Sequence, residues 1–188
     1  MKELFRTFGL STDLKDFTQV LERAFCVALS RHIDIVCVCV GTSKMYGDSF
    51  GAIVGDMLLD LRLPIWVYGS SLSNVDARNI SATMQVINLV HSHSFVLVID
   101  AMSTLDPTTV GDLVITDSYV GLNQNVSIFA DLYVYGVTTY LSHAKRNLHS
   151  QLSLTDTLAH NLCHAISTAC ANAQHRMQLK FLDKFVLK

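Results

Sequence analysis

Apolar positions along the chain fall into two patterns, continuous runs and stripes at helical spacing. Runs rich in Val and Ile cover Ile33 to Val40 and Ser94 to Ala101. Runs of this kind are typical of parallel strands buried on both faces. A shorter run, Ile65 to Tyr68, ends at Gly69. The pattern therefore predicts three strands, the first of them in the middle of a sheet.

Apolar residues recur at helical spacing between these runs, which predicts a helix before each strand. Thr12 is in position to cap the first helix, Pro64 follows the second, and Ser73 or Asn74 is in position to cap the third. The helical stripes consist of Leu14, Phe17, Leu21, Ala24, Phe25, Ala28 and Leu29, then Phe50, Ile53, Val54, Met57, Leu58 and Leu61, then Ile80, Met84 and Ile87. Such alternation predicts an α/β fold, a three-layer sandwich with a mainly parallel central sheet and helices on both faces.

The second half of the chain continues with two strand-like segments, VGDLVITDS and ADLYVYGVTTY. A polar loop from Gly121 to Asn125 separates them, and one of them could form an antiparallel edge. Ser153 and Asp156 resemble a capping box at the start of a long final helix. We expect the basic and apolar tail to extend that helix, packed on its own core or on a second copy; the alternative is docking on a partner or a membrane surface.

Composition limits the classes of protein to consider. The 188 residues are 50% hydrophobic and 16% charged, with a formal net charge of -2. This length predicts one α/β domain over residues 1–188, and the apolar content favours a thick sheet, oligomerisation or both. The charge balance argues against a nucleic-acid partner. Because no signal peptide or membrane-spanning run is visible, we expect a cytoplasmic protein without a membrane partner.

Cysteine and histidine spacings do not indicate a metal site. The five cysteines are Cys26, Cys37, Cys39, Cys163 and Cys170. None has the spacing of a zinc site, so we expect reduced, buried thiols. His91 and His93 could share a strand face, and His160 and His164 are one helical turn apart. Surface, capping or solvated roles account for them, so we predict no metal and no cofactor.

Two carboxylates follow buried strands. Asp48 comes after the glycine-containing loop behind the first strand, and Asp100 ends the run SFVLVIDA. Ligands collect at the carboxyl ends of strands in open α/β sheets, so the two side chains could meet in one crevice. There one would hold a proton as an acid while the other activates water as a base, which suits amide hydrolysis. The alternatives are an ordinary helix cap for Asp48 and an ordinary turn residue for Asp100.

Three further polar residues could line the same crevice. Asp76 and Asn79 lie near the start of the third helix and could orient a substrate, or they could simply complement the helix dipole. Ser49 follows Asp48 directly. Because no nucleophile motif surrounds Ser49, we predict a substrate-binding role for it and not serine-hydrolase chemistry.

Three segments in order resemble a known family: VGTSKMYGDSFGAIVG, VYGSSLSNVDARNI and VLVIDAMSTLDPTTVGDLVI. They are similar to the YyaC family of spore formers and, more distantly, to the core of the spore germination protease. The resemblance implies the phosphorylase/hydrolase-like sandwich that hydrogenase maturation proteases also use. It further implies that Asp48 and Asp100 match the aspartates of an aspartate-dependent peptidase site.

The implied function is that of a sporulation or germination protein, an endopeptidase hydrolysing peptide bonds of a protein or peptide substrate in the cytoplasm, including the forespore or spore core. The alternative is a non-catalytic sporulation factor that binds a peptide or protein partner in the same crevice. Hydrogenase maturation proteases bind nickel with two carboxylates and a His. This chain has no His between Asp100 and His143, which argues against that reading.

Overall fold

The computed structural model of the chain describes residues 14–44, 46–119, 129–141 and 148–186. The helices are α1 (Leu14–Ser30), α2 (Phe50–Leu61), α3 (Ile80–Val90) and α4 (Leu148–Val186). The strands are β1 (Asp34–Cys39), β2 (Trp66–Tyr68), β3 (Ser94–Thr104), β4 (Leu113–Thr116) and β5 (Leu132–Tyr140). From α1 to β3 the helices and strands alternate in the predicted order.

The strands form one five-stranded sheet in the order β2-β1-β3-β5-β4. β1 runs parallel to β2 and β3, and β3 runs parallel to β5. β4 lies antiparallel to β5 at the edge of the sheet. One of the two late segments therefore forms an antiparallel edge strand, as the sequence analysis allowed. All residues of β1 after Asp34 are buried, as expected for a strand inside the sheet.

Successive strand residues point to opposite sides of the sheet and enter two separate cores. On one side, Cys37 and Leu97 pack in a core with α1, α2 and α4. On the other side, Val38 and Val98 pack in a core with α3. Helices therefore cover both faces, and the predicted three-layer α/β sandwich is confirmed.

The start of α3 differs from the prediction. The helix begins at Ile80 with Asn79 in the N-cap position, so neither Ser73 nor Asn74 caps it. The reason lies in the side chain of Asp76, which accepts hydrogen bonds from the Asn74 amide and from the Arg78 backbone N–H. These bonds hold the segment in a turn, and the helix starts only after it.

The strand β3 is longer than its apolar run. It was predicted to end at Ala101 and continues to Thr104, because β5 still pairs with it beyond an irregularity between Met102 and Ser103. Asp100 therefore lies within β3, and the prediction that it follows the end of its strand is wrong.

The helix α4 is also longer than predicted. It begins at Leu148, so Ser153 and Asp156 lie inside the helix and form no capping box. Residues 148–153 contain no Gly or Pro, so nothing in them stops the helix from starting earlier. The tail continues the helix to Val186, as expected.

The cysteines are free thiols, in agreement with the sequence. Cys37, Cys39, Cys163 and Cys170 are buried, and Cys26 is half-buried. Burial raises the pKa of Cys163 and of Cys170 to about 12, so both thiols stay protonated at neutral pH. Buried, protonated thiols of this kind are inert core residues.

Some sequence predictions concern residues outside the described ranges. These are the cap at Thr12, the loop from Gly121 to Asn125 and His143. Within the described ranges, no helix combines the length and the apolar content that a bilayer crossing requires.

Candidate functional site

The candidate site lies where the chain leaves β1 at the carboxyl end of the sheet. The ladder between β1 and β3 ends at the pair Cys39 and Ile99. Val40 then forms an isolated bridge with Val75, and the Gly41 backbone N–H donates to the Val75 carbonyl at 2.7 Å. Because β1 ends while β3 continues, the next residue of β3 has no β1 residue paired with it.

Asp48 is held at this end by a short 3-10 turn, Tyr46–Asp48. The Thr42 backbone N–H donates to the Asp48 carbonyl at 2.9 Å, and the Thr138 hydroxyl donates to the Gly47 carbonyl at 3.1 Å. These bonds tie the turn to the end of β1 and to β5. The position of Asp48 is therefore determined by three separate segments of the chain.

Close packing of the first turn of α2 supports this arrangement. A Cβ at Gly51 would lie 1.9 Å from the Val40 carbonyl oxygen, so only glycine lets α2 approach β1 so closely. Ser49 occupies the N-cap position of α2 and is buried, and its side chain makes no capping hydrogen bond. Asp48 precedes the N-cap residue, so the alternative interpretation of Asp48 as an ordinary helix cap does not hold.

Asp100 lies on β3 beside Tyr135 of β5. Its Oδ1 accepts a hydrogen bond from the Ala101 backbone N–H at 2.7 Å. Burial raises the pKa of Asp100 to about 7, that hydrogen bond opposes the shift, and the charge of Asp48 adds to it. Among the described residues, no ion pair neutralises Asp100.

The pKa of Asp48 is also raised, for a related set of reasons. Burial is the main cause, and the charge of Asp76 adds to it. Asp48 thus interacts with carboxylates on two sides, Asp76 and Asp100. The structure brings these three predicted residues into one electrostatically linked group.

Asp76 differs from the other two because a cation accompanies it. The guanidinium of Arg78 forms an ion pair with Asp76, and hydrogen bonds from Arg78 and Asn74 hold the pKa of Asp76 at about 2. Asn79 is exposed; its side chain accepts from the Asp76 backbone N–H at 2.8 Å and donates to the Asn74 carbonyl at 2.9 Å. The side chains of Asp76 and Asn79, which were predicted to bind substrate, thus form hydrogen bonds within the turn before α3.

A group of tyrosines beside Asp100 was not predicted. The Tyr133 and Tyr135 rings stack with centroids 6.5 Å apart, and the Tyr119 ring lies 5.8 Å from Tyr133. Burial, followed by the charge of Asp100, raises the pKa of Tyr119. No local pattern marks Tyr119, because its approach to Asp100 depends on how β4 and β5 pair.

The histidines do not add to this site. A surface or capping role was predicted for His91, and it is the C-cap residue of α3. Its ring is buried, so the surface role is wrong. The ring nitrogens lie 3.1 Å from Asp34 Oδ2 and 3.0 Å from the Tyr68 hydroxyl. Over the described ranges, no three His, Cys, Asp or Glu side chains are grouped closely enough to hold a metal ion.

The predicted histidine surface roles agree with the exposure of the other three residues. His93, His160 and His164 are exposed. Chemically, the site therefore offers carboxylates and a phenol. One carboxylate is firmly ionised, and two have raised pKa values, which is the arrangement that can divide acid and base roles between neighbouring groups.

Comparison with known proteins places the chain among uncharacterised relatives. Residues 10–169 match the family described as "Protein of unknown function (DUF1256)". The chain is 27% identical over 139 residues to the uncharacterised protein YyaC of Bacillus subtilis (strain 168), covering 68% of this chain and 67% of that protein. Among solved structures, the NiFe hydrogenase maturation protease HycI from Thermococcus kodakarensis KOD1 aligns with a TM-score of 0.48 and 16% identity. That alignment covers 79% of this chain and 99% of HycI.

Proposed function

The chain belongs to the DUF1256 family, as the resemblance to YyaC led us to expect, and we propose that it is an aspartate-dependent peptidase. In this proposal Asp48 and Asp100 act together on a water molecule and a peptide bond. The observation that carries the proposal is the partly buried Asp100 carboxyl, whose pKa of about 7 lets it keep a proton near neutral pH.

The two aspartates have different environments, which assigns their roles. The pKa of Asp48 is raised less than that of Asp100 because Asp48 is less deeply buried, so Asp48 is the general base. Asp100 has its pKa raised to about 7 and is the general acid. This division follows the rule that paired carboxylates with separated pKa values supply the acid and the base.

The reaction then proceeds in two balanced steps. Asp48 takes a proton from water as the water oxygen bonds to the peptide carbonyl carbon, while Asp100 gives its proton to the carbonyl oxygen. The tetrahedral intermediate then collapses. The carbon–nitrogen bond breaks, the proton on Asp48 passes to the leaving nitrogen, and a hydroxyl proton of the intermediate returns to Asp100.

The biological setting is part of the proposal. The resemblance of the GDSFG and IDA segments to the germination protease supports a role in sporulation or germination, with a protein or peptide substrate in the cytoplasm or spore core. Ser49, Asp76 and Asn79 remain predicted substrate-binding residues. The contacts of Asp76 and Asn79 hold the turn before α3, which suits a role in positioning Asp76 beside Asp48.

The test is hydrolysis of a fluorescence-quenched peptide library by the wild-type chain and by single variants. We expect Asp48→Asn and Asp100→Asn each to lower turnover by about 100-fold or more, the size of a general acid–base contribution. Wild-type activity should fall as the pH rises through about 7, because Asp100 then loses the proton it donates. Asp106→Asn, which alters an exposed turn cap that Asn can also form, serves as the matched control.

Circular dichroism would establish that all variants fold. A wild-type chain that binds library peptides without hydrolysing any would overturn the peptidase and support the non-catalytic binding factor. Equal activity of wild type and both Asn variants would exclude the two aspartates as the acid and base.

A further inference from the structure

A groove lies between α1 and α4, and none of the residues of the aspartate site lines it. Its volume of about 650 Å³ falls in the range of small-molecule sites. The residues that line it are Leu14, Lys15, Thr18, Gln19, Glu22, Arg23, His164, Thr168, Asn172 and Arg176. Only Leu14 among them has a purely apolar side chain, so polar and charged groups are available to a ligand along the groove.

A buried carboxylate anchors one part of the groove. Glu22 is only 7% exposed. Its Oε1 pairs with the Arg176 guanidinium at 2.6 Å, and its Oε2 accepts from the Asn172 amide at 2.9 Å. Both carboxylate oxygens are therefore occupied, and the Arg176 side chain is fixed while two thirds of it, 66%, remains exposed. A guanidinium has five N–H donors, so Arg176 can bind a further group.

Cations outnumber carboxylates along this groove. Lys15, Arg23 and Arg176 are cationic, and Glu22 is the one carboxylate among the lining residues. Arg23 and Arg176 also line an adjoining cavity of about 440 Å³, so both residues border the same two spaces. The cations that line the groove would attract an anion bound in it.

We propose that the groove between α1 and α4 binds a small phosphate-bearing anion, held by Arg23 and Arg176. Guanidinium groups match the oxygen geometry of phosphate and form paired, charge-assisted hydrogen bonds with it. Gln19 and Thr168 supply neutral polar groups along the groove for the rest of the ligand. The formal charge of the whole chain is -2, so the cation excess is a local property of this groove.

The probe is pyrophosphate, titrated into the full chain at low salt and followed by backbone amide NMR. We expect saturable shifts confined to α1 and α4, with weaker binding as salt is added. Arg23→Gln should weaken binding about tenfold or more, the effect of removing one charged hydrogen-bonding group. Arg176 is left in place, because its removal would leave the buried Glu22 without its cation.

Arg31→Gln is the matched control, since Arg31 is exposed beyond the end of α1 and does not line the groove. Its binding should stay within about twofold of wild type. The absence of saturable shifts, or equal weakening by both variants, would overturn the site. Binding of phosphatidylglycerol vesicles without a response to pyrophosphate would also overturn it and assign the arginines to a membrane surface. Neither readout depends on peptidase activity.

Discussion

Glu22 and Asp100 are two carboxylates withdrawn from water in different regions of the molecule. Glu22 lies between α1 and α4, where Arg176 and Asn172 bind its two oxygens. Asp100 lies on β3, where its carboxylate accepts a hydrogen bond from the neighbouring Ala101 N–H, while burial and the charge of Asp48 raise its pKa. The region around Glu22 compensates its carboxylate for the loss of hydration, and the region around Asp100 does not.

The difference separates a structural carboxylate from a functional one. A buried charge that is paired and hydrogen-bonded is compatible with stable packing, whereas an uncompensated one costs free energy. Such a cost persists in a protein mainly where a function depends on it. The raised pKa values of Asp48 and Asp100 are consistent with this account. They also predict changes in the free energy of unfolding that can be measured.

The largest expected effect is on the pH dependence of stability. Asp100 has an ordinary pKa of 3.8 and a folded-state pKa of about 7, so the folded state favours its protonated form. Stability is therefore full below the ordinary pKa and is lost as the pH rises towards 7. The loss is about 4 kcal/mol at 1.36 kcal/mol per pKa unit.

Urea unfolding of the wild type and of Asp100→Asn at pH 4 and pH 8 measures this loss. The free energy of unfolding of the wild type should fall by about 4 kcal/mol more than that of the variant. Titrating groups that are not coupled to Asp100 contribute equally to both proteins and cancel in the difference, whereas the contribution of Asp48, whose charge acts on Asp100, does not cancel fully. Parallel pH curves for the two proteins would show that Asp100 carries no such cost.

The sequence predicts the layers of this fold better than its connections. Apolar runs identify β1 and β3, and the apolar stripe predicted for α2 matches the helix found, Phe50–Leu61. These elements can be predicted because the apolar residues that become buried lie close together in the sequence. The turn before α3 was missed because it depends on contacts of the Asp76 side chain. The end of β3 was missed because pairing with β5 extends it.

The candidate site shows the same division. Asp48 and Asp100 could be selected from the sequence, since each follows a buried apolar run and belongs to a segment resembling a known family. The ion pair of Asp76 with Arg78 and the approach of Tyr119 to Asp100 could not. Both depend on side-chain geometry or strand pairing, which the spacing of apolar residues does not encode.

The second prediction concerns the close backbone packing that positions Asp48. Gly51→Ala would place a Cβ 1.9 Å from the Val40 carbonyl oxygen, so α2 and the end of β1 must move apart. We expect a loss of about 3 kcal/mol in the free energy of unfolding, the upper end for overpacking. Gly47→Ala is the control, because its Cβ would meet only the Thr139 hydroxyl at 3.3 Å. A loss as large for Gly47→Ala would refute the assigned role of Gly51.

The smallest effect tests the paired carboxylate directly. Glu22→Gln keeps the shape of the side chain and removes the charge that Arg176 binds. Because Arg176 is mostly exposed, water screens the pair, and we expect a loss of only about 1 kcal/mol in urea unfolding at pH 8. Asp60→Asn, at an exposed carboxylate, should change stability by less than about 0.5 kcal/mol. At pH 8 the variant Asp100→Asn lacks the uncompensated charge and should be more stable than the wild type. Glu22→Gln and Asp100→Asn should therefore change stability in opposite directions. If Glu22→Gln also stabilised the protein, Arg176 would not compensate Glu22, and the contrast between the two regions would fail.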